Sequence, residues 1–315
     1  MLRLASSWIW DSWLVDDGER FHLFFLKASR ALIDPHRRHL RASIGHAVSE
    51  DLVTWTELTD ALVASDAPAL DDQATWTGSV VRGEDDRWWM FYTGVGRDHL
   101  IQRIFAATSA DLITWERVQE APLVEADPTW YELLDLSQWV DQAWRDPWVY
   151  RDPGGDGWHM LITARSREGD GDARGVVGHA TSPDLRTWTV RPPLSPPGSG
   201  FGQMEVFQHA VVEGRGVLVF SCQTGELSTE HRARGGTGGI WAVTVDDPLA
   251  GVDPGAAYLL ADQSLYVGRL IRDRTGRWVM LAFRNLTPGG FVGEITDPMP
   301  VGWGDDGRLR LLDPA

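Results

Sequence analysis

Apolar positions along this chain come in short bursts, separated by turn residues rather than by helical spacing, and the bursts pair up. Trp13-Leu14-Val15 is followed by the turn Asp16 to Glu19 and then by Phe21 to Leu26. Ser79-Val80-Val81 leads through Gly83 to Asp86 into Trp88 to Tyr92, and Trp148-Val149-Tyr150 through Asp152 to Gly157 into Trp158 to Thr163. Ala210-Val211-Val212 leads through Glu213 to Gly216 into Val217 to Ser221. Arg269-Leu270-Ile271 leads through Asp273 to Gly276 into Trp278 to Phe283. Gly and Asp between two β-rich runs predict a hairpin at each place. The pairs recur every 60–70 residues or so, the mark of a repeat architecture.

A second repeat interleaves with the first. Ser49 to Trp55, Ser109 to Trp115 and Ser182 to Trp188 all read S-x-D-L-x-T-W, each after one strand (Ile44 to Val48, Ile104 to Thr108, Val176 to Thr181) and before another. Ser and Asp can bond the amides of a turn while Trp packs beneath it. A motif used three times serves folding better than chemistry, because a reaction needs one site. Hairpin, turn and return strand make four strands per unit. Five such sheets around an axis predict an all-β, five-bladed β-propeller with four-stranded antiparallel blades, a single catalytic domain over 1–315.

Composition narrows the partners. The 315 residues carry 29 basic against 45 acidic side chains, a formal charge of −16. Such a balance argues against nucleic acid and anionic membrane surfaces. One cysteine, Cys222, excludes an internal disulfide and a cysteine-based zinc cluster. Nothing between Met1 and Trp10 reads as a signal peptide, and no apolar run approaches membrane-spanning length, so a cytoplasmic location is expected.

The residues just before each inner strand should ring the mouth of the central funnel. They are Trp10-Asp11-Ser12-Trp13, Trp76-Thr77-Gly78-Ser79, Trp144-Arg145-Asp146-Pro147, Gln203-Met204-Glu205-Val206 and Ser264-Leu265-Tyr266. Three blades thereby place a carboxylate at one structural address: Asp11, Asp146 and Glu205. Converging acids repel one another, a cost that sites accept and surfaces avoid. Paired carboxylates among tryptophans suit glycosyl transfer, with aromatic faces stacking on sugar rings. On register alone, that chemistry and a non-catalytic sugar-binding propeller stand level.

The motifs carry a resemblance that separates the two. Trp10-Asp11-Ser12-Trp13 resembles the W-D-S/T-W nucleophile segment of levansucrases, and Gly45 to Trp55 resembles the G-H-A-x-S-x-D-L-x-x-W segment of invertases and levanases. Trp76-Thr77-Gly78-Ser79 is similar to their W-S-G-S stretch, and Arg145-Asp146-Pro147 matches the R-D-P triplet of both families. The resemblance, to glycoside hydrolase families 32 and 68, runs from Trp8 to about Ser221. It implies a five-bladed propeller, retaining chemistry on β-fructofuranosides (sucrose, fructo-oligosaccharides or fructan, with transfer as an accessory outcome), and no cofactor or metal. By that match Asp11 is the nucleophile, Asp146 holds sugar hydroxyls and stabilises the transition state, and Glu205 is the acid/base. Trp10, Trp76, Ser79, Arg145 and Tyr266 are the expected substrate contacts.

The departures bear on substrate. The invertase W-M-N-D-P-N-G segment is missing, Phe24-Phe25-Leu26 lacks the Gln that ends the invertase H-L-F-Y-Q stretch, and Val206-Phe207-Gln208 follows Glu205 in place of Cys-Pro or Arg-Pro-His. The chain ends at Ala315, so no C-terminal β-sandwich is expected. An inverting arabinofuranosidase of the propeller type, with two Asp and one Glu, is the alternative. Asp127 to Ala143 has apolar residues near helical spacing and is expected to form a helical rim, with Trp130, Tyr131 or Trp139 near substrate. Asp170-Gly171-Asp172 lacks the further ligands of a calcium loop, Gly235 to Gly239 has no following Lys for a phosphate cradle, and His36 and His39 lack a third metal ligand.

Overall fold

The computed structural model describes residues 1–98, 100–155 and 157–313. Within the expected turn Asp152 to Gly157, Asp156 lies outside the described residues. Five antiparallel sheets are strung along the chain, each with its strands in sequence order. The first is β1 (Ser7–Asp16), β2 (Phe21–Ser29), β3 (Ser43–Ser49) and β4 (Thr56–Glu57). The second is β5 (Ala74–Arg82), β6 (Trp88–Val95), β7 (Gln102–Ser109) and β8 (Glu116–Arg117). The third is β9 (Trp144–Arg151), β10 (Trp158–Arg165), β11 (Gly175–Ser182) and β12 (Thr189–Arg191). The fourth is β13 (Glu205–Val212), β14 (Arg215–Cys222), β15 (Gly239–Thr244) and β16 (Tyr258–Asp262). The fifth departs from the four-stranded plan. It orders β17 (Leu265–Arg272), β18 (Trp278–Thr287), β20 (Met299–Trp303) and β21 (Leu309–Leu311), while β19 (Gly290–Ile295) also pairs with β18.

The extra strand has a use. Ile295 exchanges both backbone hydrogen bonds with Leu2 (3.1 and 3.0 Å), joining the last blade to the start of the chain. Arg30 adds a bond from Nη2 to Val292 O. The ring is therefore a β-propeller, closed between blades five and one.

The S-x-D-L-x-T-W segments are turns of one design. In the first, Asp51 Oδ1 accepts from the amides of Val53 (2.8 Å) and Thr54 (2.7 Å), Ser49 donates to the same carboxylate, and Trp55 Nε1 donates to Leu52 O. Leu52, Leu112 and Leu185 all take a left-handed backbone, φ 64°, 64° and 65°, which the Asp cage holds in place. The structural reading of this repeat stands.

The expected helix over 127–143 does not form. Asp127 and Asp135 each capture a downstream amide with their side chains, and Tyr131 N to Asp127 O and Trp139 N to Asp135 O close single turns, but the Glu132 amide turns to Arg165 O on β10, so the ladder a helix needs is not continued. Tyr131 is buried there and donates from its hydroxyl to Arg191 O.

Inner strands meet their neighbours around the axis, and each inner strand carries a bulge at the same height. Pairing skips between Trp10 and Ser12, between Trp76 and Gly78, and between Arg145 and Trp148. It skips again between Glu205 and Gln208, and between Tyr266 and Arg269. A bulge leaves residues unpaired and re-aims their side chains. Two classes of position result. Trp10, Trp76, Arg145, Glu205 and Tyr266 are the last paired residues, whereas Asp11, Thr77, Asp146, Val206 and Val267 begin the bulges.

Candidate active site

This register corrects the sequence reading. Asp11 and Asp146 do share one address, but Glu205 sits one residue earlier, at the address of Trp10, Trp76, Arg145 and Tyr266. A bulge displaces one strand by a single residue, which a period-two pattern cannot reveal. In blades three to five the bulged amide is satisfied by the preceding blade: Asp146 N donates to Thr93 Oγ1 (2.9 Å), Val206 N to Thr163 Oγ1 (3.1 Å) and Val267 N to Ser221 Oγ (2.9 Å). Each hydroxyl comes from the second strand of its blade, so neighbouring blades fix the funnel residues.

These residues open onto a cavity of about 200 Å³. Its lining includes all three carboxylates and Trp10, Trp76, Arg145 and Tyr266. Ser79 is not among them. It is buried in the blade, past the β5 bulge and two residues further along the strand than Thr77, where its Oγ accepts the Val149 amide at 3.0 Å. Asp11 Oδ2 accepts a 2.6 Å hydrogen bond from Thr77, the residue at its own address in the next blade. Burial lifts the Asp11 carboxyl to about 6, and the charge of Glu205 adds to the rise; Thr77, Arg38 and Arg269 pull the other way. Burial lifts Asp146 further, to about 7, against Arg145 and with Glu205 and Asp11 reinforcing it. Thr163 donates to its Oδ2 at 2.8 Å.

Glu205 is held by three donors. Arg145 Nη2 lies 2.7 Å from Oε1, Gln203 Nε2 lies 3.2 Å from the same oxygen, and the Tyr266 hydroxyl donates to Oε2. Arg145 is the hub of the acidic cluster, within 3.6 Å of Asp146 and 3.7 Å of Asp141 as well. Although burial disfavours its charge, Asp141, Glu205 and Asp146 hold its pKa above the ordinary arginine value. Beneath the funnel, buried Arg269 donates to the carbonyls of Ser12 (2.8 Å) and Phe207 (2.7 Å), a second cation facing Asp11 and Asp146.

Several lining residues had no sequence signal. Glu226 shares the Gln203 side-chain amide with Glu205, accepting from it at 2.6 Å; burial and the charge of Glu205 raise it to about 8. Gln223, on the loop after β14, and Asn285, near the end of β18, also line the cavity. Arg38 and His39 come from the short 3₁₀ segment Pro35–Arg41. Thr77 was visible in its motif, and its place at the bulge is what marks it. From the expected rim, Val140 and Asp141 reach the cavity, and Trp139 reaches it indirectly through a bond to Gln203 Oε1 (3.2 Å). Trp130 and Tyr131 do not. Asp172 accepts the Thr229 amide and Gly171 O accepts from Arg165, so that loop is braced by protein contacts. Among the described residues, no group of three or more His, Cys, Asp or Glu side chains is arranged to hold a metal ion.

Carboxylates at two bulges, a third at a paired position and two indoles thus line one propeller funnel. The chain belongs to glycosyl hydrolase family 32: the family's N-terminal domain matches residues 11–283. It is 27% identical over 212 residues to the beta-fructofuranosidase insoluble isoenzyme CWINV6 of Arabidopsis thaliana, covering 62% of this chain and 34% of that protein. It is 28% identical over 189 residues to the sucrose-6-phosphate hydrolase of Bacillus subtilis, covering 57% and 35%. The chain thus spans about a third of the length of these curated relatives. Among solved structures, an inulosucrase from Halalkalicoccus jeotgali bound to kestose superposes with a TM-score of 0.77, at 21% identity over 99% of this chain and 90% of that one. That likeness establishes the propeller fold.

Proposed function

We propose that this chain is a retaining glycosidase acting on β-fructofuranosides, with sucrose, fructo-oligosaccharides or fructan as substrate and transfructosylation as a second outcome. The observation that carries the reading is the cavity itself, which gathers Asp11, Asp146 and Glu205 together with Trp10 and Trp76. Family membership and the names of the curated relatives support it. Asp11 attacks the anomeric carbon and forms a fructosyl ester, for which it must be ionised, so turnover falls as pH drops through about 6. Glu205 gives a proton to the leaving oxygen and later takes one from the incoming water or sugar hydroxyl. The Tyr266 hydroxyl and Arg145 hold its carboxyl in place. Asp146, locked by Thr163 and by its own amide, faces the ring hydroxyls and the developing positive charge.

The test is a screen of sucrose, fructans, aryl fructofuranosides and aryl arabinofuranosides with NMR of the first-formed sugar. Release of fructose with retained configuration supports the reading. Inversion at the anomeric carbon, or turnover of arabinofuranosides alone, overturns it in favour of the inverting propeller alternative.

A further inference from the structure

Two guanidinium groups line the cavity, and their surroundings are opposite. Arg145 is saturated with carboxylates. Arg38 is only 8% exposed, yet among the described residues no carboxylate lies within ion-pair distance of it. Its Nη1 donates to Pro35 O at 2.9 Å, and its buried Nε has no partner at all. A buried charged donor left without a partner is costly, and native structures keep few of them outside sites that use them.

The group is held ready rather than loosely packed. The guanidinium carbon stands 3.8 Å from the centre of the Phe291 ring and 5.3 Å from that of Trp10. Arg38 is the only buried residue of the segment Pro35–Arg41. That segment is pinned to blade two, since Trp76 Nε1 donates to His39 O (2.7 Å) and Gln73 Nε2 to Leu40 O (2.9 Å). Leu26, also in the lining, is apolar, so this wall gets its donors from the segment rather than from β2. The cavity holds five acids (Asp11, Asp141, Asp146, Glu205 and Glu226) against two arginines, which disfavours an anionic ligand and suits a neutral one rich in hydroxyls.

We propose that Arg38 is a substrate-binding residue, donating from its guanidinium, where it lines the cavity, to a hydroxyl of the furanosyl ring held beside Asp11. The proposal rests on the fructofuranosidase reading and extends it to a residue outside the three motif carboxylates. The rings of Trp10 and Phe291 fix the plane of the fork, and the sugar oxygen completes it.

The test measures binding of fructose and of its monodeoxy analogues by calorimetry, together with kcat and KM, in the wild type, Arg38→Lys and Arg38→Met. A lost charge-assisted hydrogen bond weakens binding by about 10- to 100-fold. Arg38→Met is expected to lose fructose affinity by that factor, and one deoxy analogue is expected to show the same loss in the wild type but no further loss in the variant. Arg38→Lys keeps a cation between the two rings but loses the planar fork, so it is expected to fold and still bind poorly. Full affinity in Arg38→Lys, or deoxy penalties identical in wild type and variants, overturns the assignment and leaves Arg38 a packing and charge-balancing residue. A wild type that neither binds fructose nor cleaves any fructofuranoside overturns the functional reading and this one with it.

Discussion

Replacing the nucleophile should make the protein more stable, and the gain should depend on pH in a way that identifies its cause. In the folded state burial holds the Asp11 carboxyl near 6, against 3.8 when it is not perturbed. Its folded pKa is raised, so the folded state binds the proton more tightly than the unfolded chain. The favourable contribution is complete below about 4 and is lost as pH rises through about 6. At pH 8 the ionised carboxylate costs at most about 3 kcal/mol, taking 1.36 kcal/mol per pKa unit. Asp11→Asn removes the charge and keeps an oxygen to accept from Thr77, so most of this cost should be relieved. With unfolding entropy of about 2.1 cal/mol/K per residue, the gain is about 2–4 °C in Tm at pH 8. Thermal unfolding of both proteins at pH 8, 6 and 4.5 checks it, the gain shrinking toward the acid end. Taking the difference cancels the buried imidazoles His39, His46 and His179, whose burial lowers them to about 3, 3 and 4 and destabilises both proteins in acid. A loss of stability at pH 8, or a pH-independent gain, would refute the claim that Asp11 is held at an electrostatic cost. The same variant should lose turnover by about 10³-fold or more, because an amide cannot form the glycosyl ester.

The remaining expectations concern neighbouring residues. Glu205→Ala should cut activity on sucrose far more than on an aryl fructofuranoside with a good leaving group, as steady-state kcat/KM on the two substrates will show; equal losses would remove Glu205 as the acid. Ser79→Ala should leave kcat and KM unchanged while lowering stability by about 1–3 kcal/mol in denaturant titration, since it orphans the buried Val149 amide. A raised KM with unchanged stability would instead return Ser79 to the substrate contacts.

Much of the fold was legible because its signals are local. Hairpin turns rich in Gly and Asp, and the thrice-used Ser-Asp-Trp turn, specify strands without reference to the rest of the chain. Asp11 and Asp146 were legible because the repeats align them, and Glu205 because it stands one residue from that address. What the sequence hid falls into two physical kinds. Asp127 to Ala143 shows helical spacing, but Pro128 and the side chains of Asp127 and Asp135 offer its amides other partners, and such local competition overrides periodicity. Arg38, Gln223 and Glu226 lie on connections outside the repeat, so no alignment of blades could bring them to the funnel, and Asn285 lies on β18 just past its pairing with β17. The closure strand β19 is hidden for a related reason, since its meaning depends on Leu2 at the other end of the chain.

The bulges explain why one repeated scaffold yields unequal chemistry from blade to blade. In blades one to three the residue before the bulge and the bulged residue both line the cavity, whereas in blades four and five only Glu205 and Tyr266, the residues before the bulge, do so. Asp146, Val206 and Val267 take φ of 57°, 59° and 52°. A β-branched side chain in that region costs about 1–2 kcal/mol, so Val206 and Val267 are not there for their own conformational preference. What holds them is the buried bond from each bulged amide to a hydroxyl of the preceding blade, Thr163 for one and Ser221 for the other. The strain lets Glu205 and Tyr266, the residues just before the two valines, meet across the gap between blades four and five. In blades one and three the bulge itself carries the acid, Asp11 or Asp146, and in blade two it carries the hydroxyl that bonds Asp11. Alternating the working residue between the two addresses brings an acid held by three donors into the same cavity as two acids lifted toward neutrality by burial.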